Sequence, residues 1–429
     1  FSFNFNKYKH ALTGCFSLLL LGSVTQLSPK PVVTAFENVG SGISEWSDAS
    51  SVAKKGRFSI LLYFEAKRKQ IQTETAAHRN YPEYEKESLK AANYLREQIN
   101  NRNVHLILLE SFLDPALLKG AAFSKDPRHP DYVARYAEGM GFAISPVFGG
   151  STAQSEFEIL CGVPAFRKIH NIEFNAFGGM PAYCLPGILT KAGYQTIATN
   201  GFKPNFFNTI KAYSGIGFSE AYFPAEYAKQ RSTYFSTGYI AWGENYMFDG
   251  TLYEQNLAYI KQRMKQQPGK PILHYVLSIY GHFPHYMDPE KRPPVLTMLA
   301  DQDEQLTRVA NQHYYRTQAL ARYIDGLIDA DPNSLIILFS DHLPPLTEGT
   351  QSYKKFRYLD NAEGSTFLNR ILIIENGKIK KYPTLHHYDI PSLIYNYLTD
   401  NKYCSDNSCN LASTVRNRED YQKDYFRLM

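Results

Sequence analysis

Leu335-Ile-Ile-Leu-Phe339-Ser340-Asp341-His342 is the stretch that decides the fold. An unbroken apolar run of this length, bounded by polar residues, is the pattern of a strand buried on both faces of a parallel sheet. A second run far upstream, Val104-His-Leu-Ile-Leu-Leu109, is followed by Glu110-Ser111. In open α/β sheets, ligands bind just outside the carboxyl ends of the strands. The two runs deliver Glu110 and Asp341-His342 to that edge. Carboxylate and imidazole together suit a divalent cation such as zinc or manganese.

Further strands are predicted outward from this pair. Residues 272–278 form another apolar run, which ends at Gly281-His282-Phe283-Pro284. Residues 195–199 predict a short strand ending at Asn200-Gly201, and residues 371–374 predict one more. Helical periodicity covers 82–99, 185–192, 251–266, 303–328 and 390–398. Asp331-Pro332 stops the longest of these. Alternating strands and helices predict an α/β fold, with a mostly parallel central sheet and helices on both faces.

The chain of 429 residues is 44% hydrophobic and 20% charged, which is globular rather than disordered. Net charge is +5 with no Lys/Arg block, so a nucleic-acid partner is not expected. The 32 tyrosines and 27 phenylalanines suggest contact with sugars, lipid head groups or a membrane interface. No C-x-x-C occurs among the five cysteines, which argues against a thiolate zinc site. Cys15 is expected to be free. Cys161 with Cys184, and Cys404 with Cys409, are candidate pairs for an oxidising compartment.

Residues 11–24 are mostly apolar and follow Lys7 and Lys9. They read either as a signal-peptide core or as the end of a transmembrane region, with the body facing outward. The expected layout is a membrane segment over 1–27, then a linker and juxtamembrane helices over 28–100. A catalytic domain over 101–400 and a C-terminal tail over 401–429 follow.

Phe148-Gly149-Gly150 leads into Ser151-Thr152, and Glu156-Phe157 follows. This is a glycine turn opening a helix. Thr152 at the helix start is the candidate nucleophile, with Ser151 as a local competitor. Backbone N–H groups and the helix dipole would stabilise an attacked phosphate there. His282, after its strand, is a candidate to hold a phosphate oxygen or protonate a leaving alcohol.

Leu108-Leu109-Glu110-Ser111-Phe112, Ser151-Thr152 with Glu156-Phe157, Gly281-His282-Phe283-Pro284 and Ser340-Asp341-His342 occur in order. Together they resemble the extracellular domain of the lipoteichoic acid synthase family, phosphoglycerol transferases of the sulfatase/alkaline phosphatase superfamily. The resemblance covers roughly residues 85–400. It implies one divalent metal, manganese or zinc, on Glu110, Thr152, Asp341 and His342. It also implies a phospho-Thr152 intermediate and a phosphate contact from His282. The implied donor is a phospholipid, the acceptor a glycan or glycolipid, and the site a bacterial inner membrane with the catalytic domain facing the periplasm or exterior. In the family, the glycerol-phosphate pocket carries histidine, tryptophan and arginine where this chain has Asn200, Phe207 and Thr209. Asn200 and Phe207 are therefore candidate substrate contacts, and the missing arginine leaves the head group open. Phosphoethanolamine transfer, or hydrolysis of a phosphate ester on the same scaffold, are the alternatives. Sulfate ester hydrolysis is rejected, because no C/S-x-P-x-R nucleophile motif lies near residue 152.

Overall fold

A computed structural model describes residues 5–38, 43, 48–78, 81–165, 174, 184–228, 231–240 and 243–402. Its strands are β1 (Val104–Leu109), β2 (Gly141–Ile144), β3 (Gln195–Asn200), β4 (Glu220–Tyr222), β5 (Ile272–Leu277), β6 (Leu335–Ser340), β7 (Leu368–Glu375), β8 (Lys378–Lys380) and β9 (Leu385–His386). The N-terminal helices are α1 (Phe5–Leu27), α2 (Pro29–Asn38), α3 (Asp48–Lys55), α4 (Arg57–His78) and α5 (Tyr81–Gln98). Those interleaved with the strands are α6 (Pro130–Arg135), α7 (Thr152–Cys161), α8 (Leu185–Lys191), α9 (Thr209–Ile216), α10 (Asp249–Gln266), α11 (Glu304–Ala330), α12 (Thr350–Lys355) and α13 (Ile390–Leu398).

The sheet runs β4-β3-β5-β1-β6-β7-β2-β9, with β8 on β7. From β4 to β6 every pairing is parallel. Alternation along the strands feeds two cores. Leu106, Leu108, Tyr275 and Ile337 pack with Phe157 of α7, Leu189 of α8 and Ile394 of α13. Ile107, Leu109, Val276 and Leu338 pack on the opposite face with Leu252 of α10 and Ile324 of α11. Helices on both faces explain why the central strands are buried throughout.

Beyond β6 the sheet turns antiparallel, because β7 runs against β6, β2 and β8. Asn376 (φ 50°) and Gly377 (φ 73°) make the two-residue turn into β8. Positive φ at both positions matches strand twist in a tight hairpin.

The expected N-terminal membrane segment is not seen as a span. Among the described residues no single helix is long and apolar enough to cross a membrane. One bent pair, Leu12–Leu27 with Pro29–Asn38, passes the length and composition test together, at 102°. Thr13, Gly14, Ser17, Thr25 and Gln26 dilute α1, and the chain breaks at Ser28. Within the expected linker and juxtamembrane region, α2 and α3 are helical despite their prolines and serines. Proline is tolerated in a first helical turn, where the N–H has no intrahelical partner. Val32 and Val33 of α2 then bury against Tyr63 and Ala66 of α4.

Cys161 and Cys184 form a disulfide, tying the end of α7 to the start of α8. Cys15 is free and exposed. The Cys404–Cys409 pair lies outside the described residues. Bridging a loop of this size restricts the unfolded chain and is worth about 3 kcal/mol. Reduction with dithiothreitol should therefore lower the thermal midpoint followed by circular dichroism. An unchanged midpoint after verified reduction would show that the bridge does not hold α7.

Candidate active site and metal centre

Parallel pairing sets Leu109 beside Ser340, so the next residues of β1 and β6 emerge side by side. Ser111, at φ 49°, turns the chain back on itself. Its N–H donates to Asp341 Oδ1 at 2.7 Å, and its hydroxyl donates to Glu110 Oε1 at 2.8 Å. The His342 N–H also donates to Asp341 Oδ1, at 2.6 Å. With Oδ1 so occupied, Oδ2 is the oxygen directed at Thr152 and His342. Ser145 and Ser155 hydroxyls hold the Asp341 carbonyl at 2.5 and 2.8 Å.

Thr152 is the first residue of α7, and Ser151 before it occupies the left-handed region at φ 66°. The expectation of a Ser/Thr cap is thus met by position, with Ser151 as N-cap but without a side-chain cap bond. The Thr152 hydroxyl points at Glu110 Oε2 (3.0 Å) and Asp341 Oδ2 (2.9 Å). One hydroxyl proton cannot serve two acceptors fully. His342 Nδ1 faces the Leu343 carbonyl at 3.0 Å, which leaves Nε2 as the ligand-type nitrogen. That Nε2 is buried, has no hydrogen-bond partner, and lies 3.3 Å from Asp341 Oδ2 and 3.7 Å from Glu110 Oε1.

Donor atoms of Glu110, Asp341 and His342 all fall within 4.8 Å of one another, and all three residues are buried. Two carboxylates, a hydroxyl and an orphaned imidazole nitrogen hold fewer protons than their contacts require. A cation resolves that deficit, so these residues fit a divalent metal. The charges agree: burial and the adjacent Glu110 push Asp341 well above the usual carboxylate range. Burial also lowers His342, keeping it neutral as a ligand must be.

A cavity of about 890 Å³ opens on this cluster, lined also by His282, Asn200 and Phe207. His282 is half-buried, so it is not a core histidine. Its Nδ1 lies 2.9 Å from the Phe283 carbonyl, and its Nε2 has no protein partner among the described residues. Gly281 before it abuts the Glu110 carbonyl and the Arg316 guanidinium, and a Cβ there would collide with both. Arg316 donates to that carbonyl at 2.8 Å and to Asp249 at 2.7 Å. Asn200 lines the cavity but is only 5% exposed. Its amide bonds Tyr213 (3.2 Å) and the Phe202 N–H (2.9 Å), so it shapes the wall.

Sequence reasoning left Ser111, Glu156 and Lys203 without roles. For Glu156 the signal was spacing: it follows Thr152 by one helical turn and shares its face. Burial pushes its carboxyl up to about 7, although Tyr213 and Tyr275 hydroxyls, donating at 2.6 and 2.8 Å, favour the anion.

Two outcomes are expected. His342→Ala should weaken manganese or zinc binding, measured by titration calorimetry, at least about a hundredfold. Undiminished binding would remove His342 from the donor set. Glu156 binds its proton more tightly folded than unfolded, so its contribution is full below pH 4.5 and is lost as pH rises through about 7. The loss is on the order of 3 kcal/mol. Urea unfolding should show that decline flattened in Glu156→Gln, and an equally steep decline would assign it elsewhere.

The described site sits inside a match to the Sulfatase family model that covers residues 102–399. A curated protein of Rhizobium meliloti (strain 1021), described as "Putative cyclic beta-1,2-glucan modification protein", is 27% identical over 57% of this chain. The chain spans only 36% of that relative's length. Among solved structures, Streptococcus pyogenes phosphoglycerol transferase GacH in complex with sn-glycerol-1-phosphate aligns with a TM-score of 0.59 at 20% identity. That alignment covers 83% of this chain and 92% of the other. The lipoteichoic acid synthase LtaP from Listeria monocytogenes aligns at 0.54 and 17% identity, covering 72% and 78%. At these identities the structural likeness establishes a shared fold. With more than half the chain matched by the family model, the protein belongs to the Sulfatase family.

Proposed function

We propose that the protein is a metal-dependent transferase moving a phosphoglycerol group from a phospholipid to a cell-envelope glycan or glycolipid, through a phospho-threonine at Thr152. The observation that carries this is the Thr152 hydroxyl at the start of α7, aimed at both Glu110 and Asp341. The likeness to the phosphoglycerol transferase GacH favours a phosphoglycerol group, and the likeness to the Rhizobium glucan modification protein favours a glycan as the molecule modified. Manganese or zinc on Glu110, Thr152, Asp341 and His342 would supply positive charge that acidifies the hydroxyl and offsets the phosphate.

In the first half-reaction the Thr152 oxygen attacks phosphorus, and the bond to the diacylglycerol oxygen breaks. The threonine proton passes to the carboxylate it already faces. His282, as imidazolium, protonates the departing alcohol. N–H groups at the start of α7 hold the phosphate oxygens. In the second half the acceptor hydroxyl loses its proton to His282 and attacks the same phosphorus, the bond to Thr152 breaks, and the Thr152 oxygen takes its proton back from the carboxylate. A disulfide suits an oxidising compartment, so the proposed location is the outer side of a bacterial inner membrane.

The test uses manganese-loaded protein with a fluorescent-tailed phosphatidylglycerol. Diacylglycerol release and an intact-mass adduct of one phosphoglycerol are expected. Thr152→Ala should lose both, by about a thousandfold or more, while retaining most of its bound metal. Turnover at the parent rate in that variant would overturn the nucleophile assignment.

A further inference from the structure

The cavity continues sideways from the metal cluster along the chain that leaves β3. Two strand spacings separate β3 from β1, so this wall lies roughly 10 Å from Glu110, about the length of one head group. It is aromatic: Phe202 packs edge-to-face on Phe206 at 5.1 Å and on Tyr227 at 5.6 Å. Phe202 also meets Tyr246 at 5.5 Å, and Tyr246 meets His282 at 4.9 Å. The shelf therefore runs from the candidate phosphate histidine outward.

Open aromatic faces of this kind attract ammonium groups. Here two of them, Phe202 and Tyr227, are already taken. Lys203 Nζ lies 5.5 Å from the centroid of Phe202 and 5.5 Å from that of Tyr227. It is the one lysine or arginine among the described residues lining the cavity. It makes no ion pair among the described residues, so its charge is not cancelled. The Asn200 carbonyl oxygen, accepting from the Phe202 N–H at 2.9 Å, fixes the loop that carries it.

We propose that Lys203 is a specificity-determining residue that excludes ammonium head groups and selects an uncharged polyol. An ethanolamine or choline entering this end meets a like charge where it would need a ring face. A glycerol hydroxyl instead accepts a hydrogen bond from the Lys203 ammonium. Discrimination by a built-in repulsive group of this kind amounts to about tenfold or more. The inference rests on the transfer reading only for the source of the head group. The binding preference stands on the cavity itself.

The experiment compares two probes that share a phosphate and differ in head group, sn-glycerol 1-phosphate and phosphoethanolamine. Binding to the manganese-loaded full chain is measured by calorimetry for wild type, Lys203→Gln and Lys203→Arg. Wild type should favour glycerol phosphate by about tenfold or more. The preference should collapse in Lys203→Gln and persist in Lys203→Arg. Lys203 is exposed, so neither variant threatens folding, and Lys203→Met provides a second neutral variant. Equal binding of both probes by wild type, or an unchanged ratio in both neutral variants, would overturn the proposal. A parallel arm follows the Thr152 mass adduct with phosphatidylglycerol. A missing adduct alongside an intact binding preference would count against transfer and support selectivity, so the two failures are separable.

Discussion

In-register parallel pairing of β1 with β6 is the constraint on which the rest of the site depends. It places Glu110 and Asp341 next to each other at one sheet edge, on strands that share no local sequence. A slip of one residue would reverse every side chain along β6, driving each into the core packed on the opposite face. Two cores therefore enforce the register, one on each face. The electrostatic strain of assembling acids in a dry place is carried by hydrophobic packing some distance below them.

The immediate surroundings then specify orientation. Backbone N–H groups of Ser111 and His342 occupy one oxygen of Asp341, so the other has a single direction left to it. The imidazole of His342 is oriented through its own backbone neighbour. Thr152 arrives from a third element, α7, anchored at its far end by the disulfide to Cys184. Positive φ at Ser111 and Ser151 marks the two places where the chain is bent to make this convergence. Such conformations persist where surrounding contacts over-determine them.

Much of this is legible in the sequence, for a physical reason. Strands buried on both faces leave continuous apolar runs, and polar residues that stop such a run stand out. Glu110, His282 and Asp341-His342 were visible in that way, and Thr152 was visible through the glycine turn before it. β2 and β4 were not visible, being short and composed of residues such as Gly141, Ala143 and Glu220 that carry no strand signature. The antiparallel edge had a local signal in Asn376-Gly377, which the apolar run of β7 overshadowed. Helix α2 was masked by prolines that sit harmlessly in its first turn. Ser111, Glu156 and Lys203 depend on a backbone angle, on Tyr213 and Tyr275, and on ring faces supplied by Phe202 and Tyr227. Tyr213, Tyr275 and Tyr227 are remote in sequence from the residues they define, and only Phe202 stands beside its partner.

Gly281 has a mechanical meaning. The loop bearing His282 leans, with no intervening side chain, against the carbonyl of Glu110, which Arg316 grips from beneath. The ends of β1 and β5 are thus joined backbone to backbone, and even a methyl group at position 281 would drive the His282 loop away from Glu110.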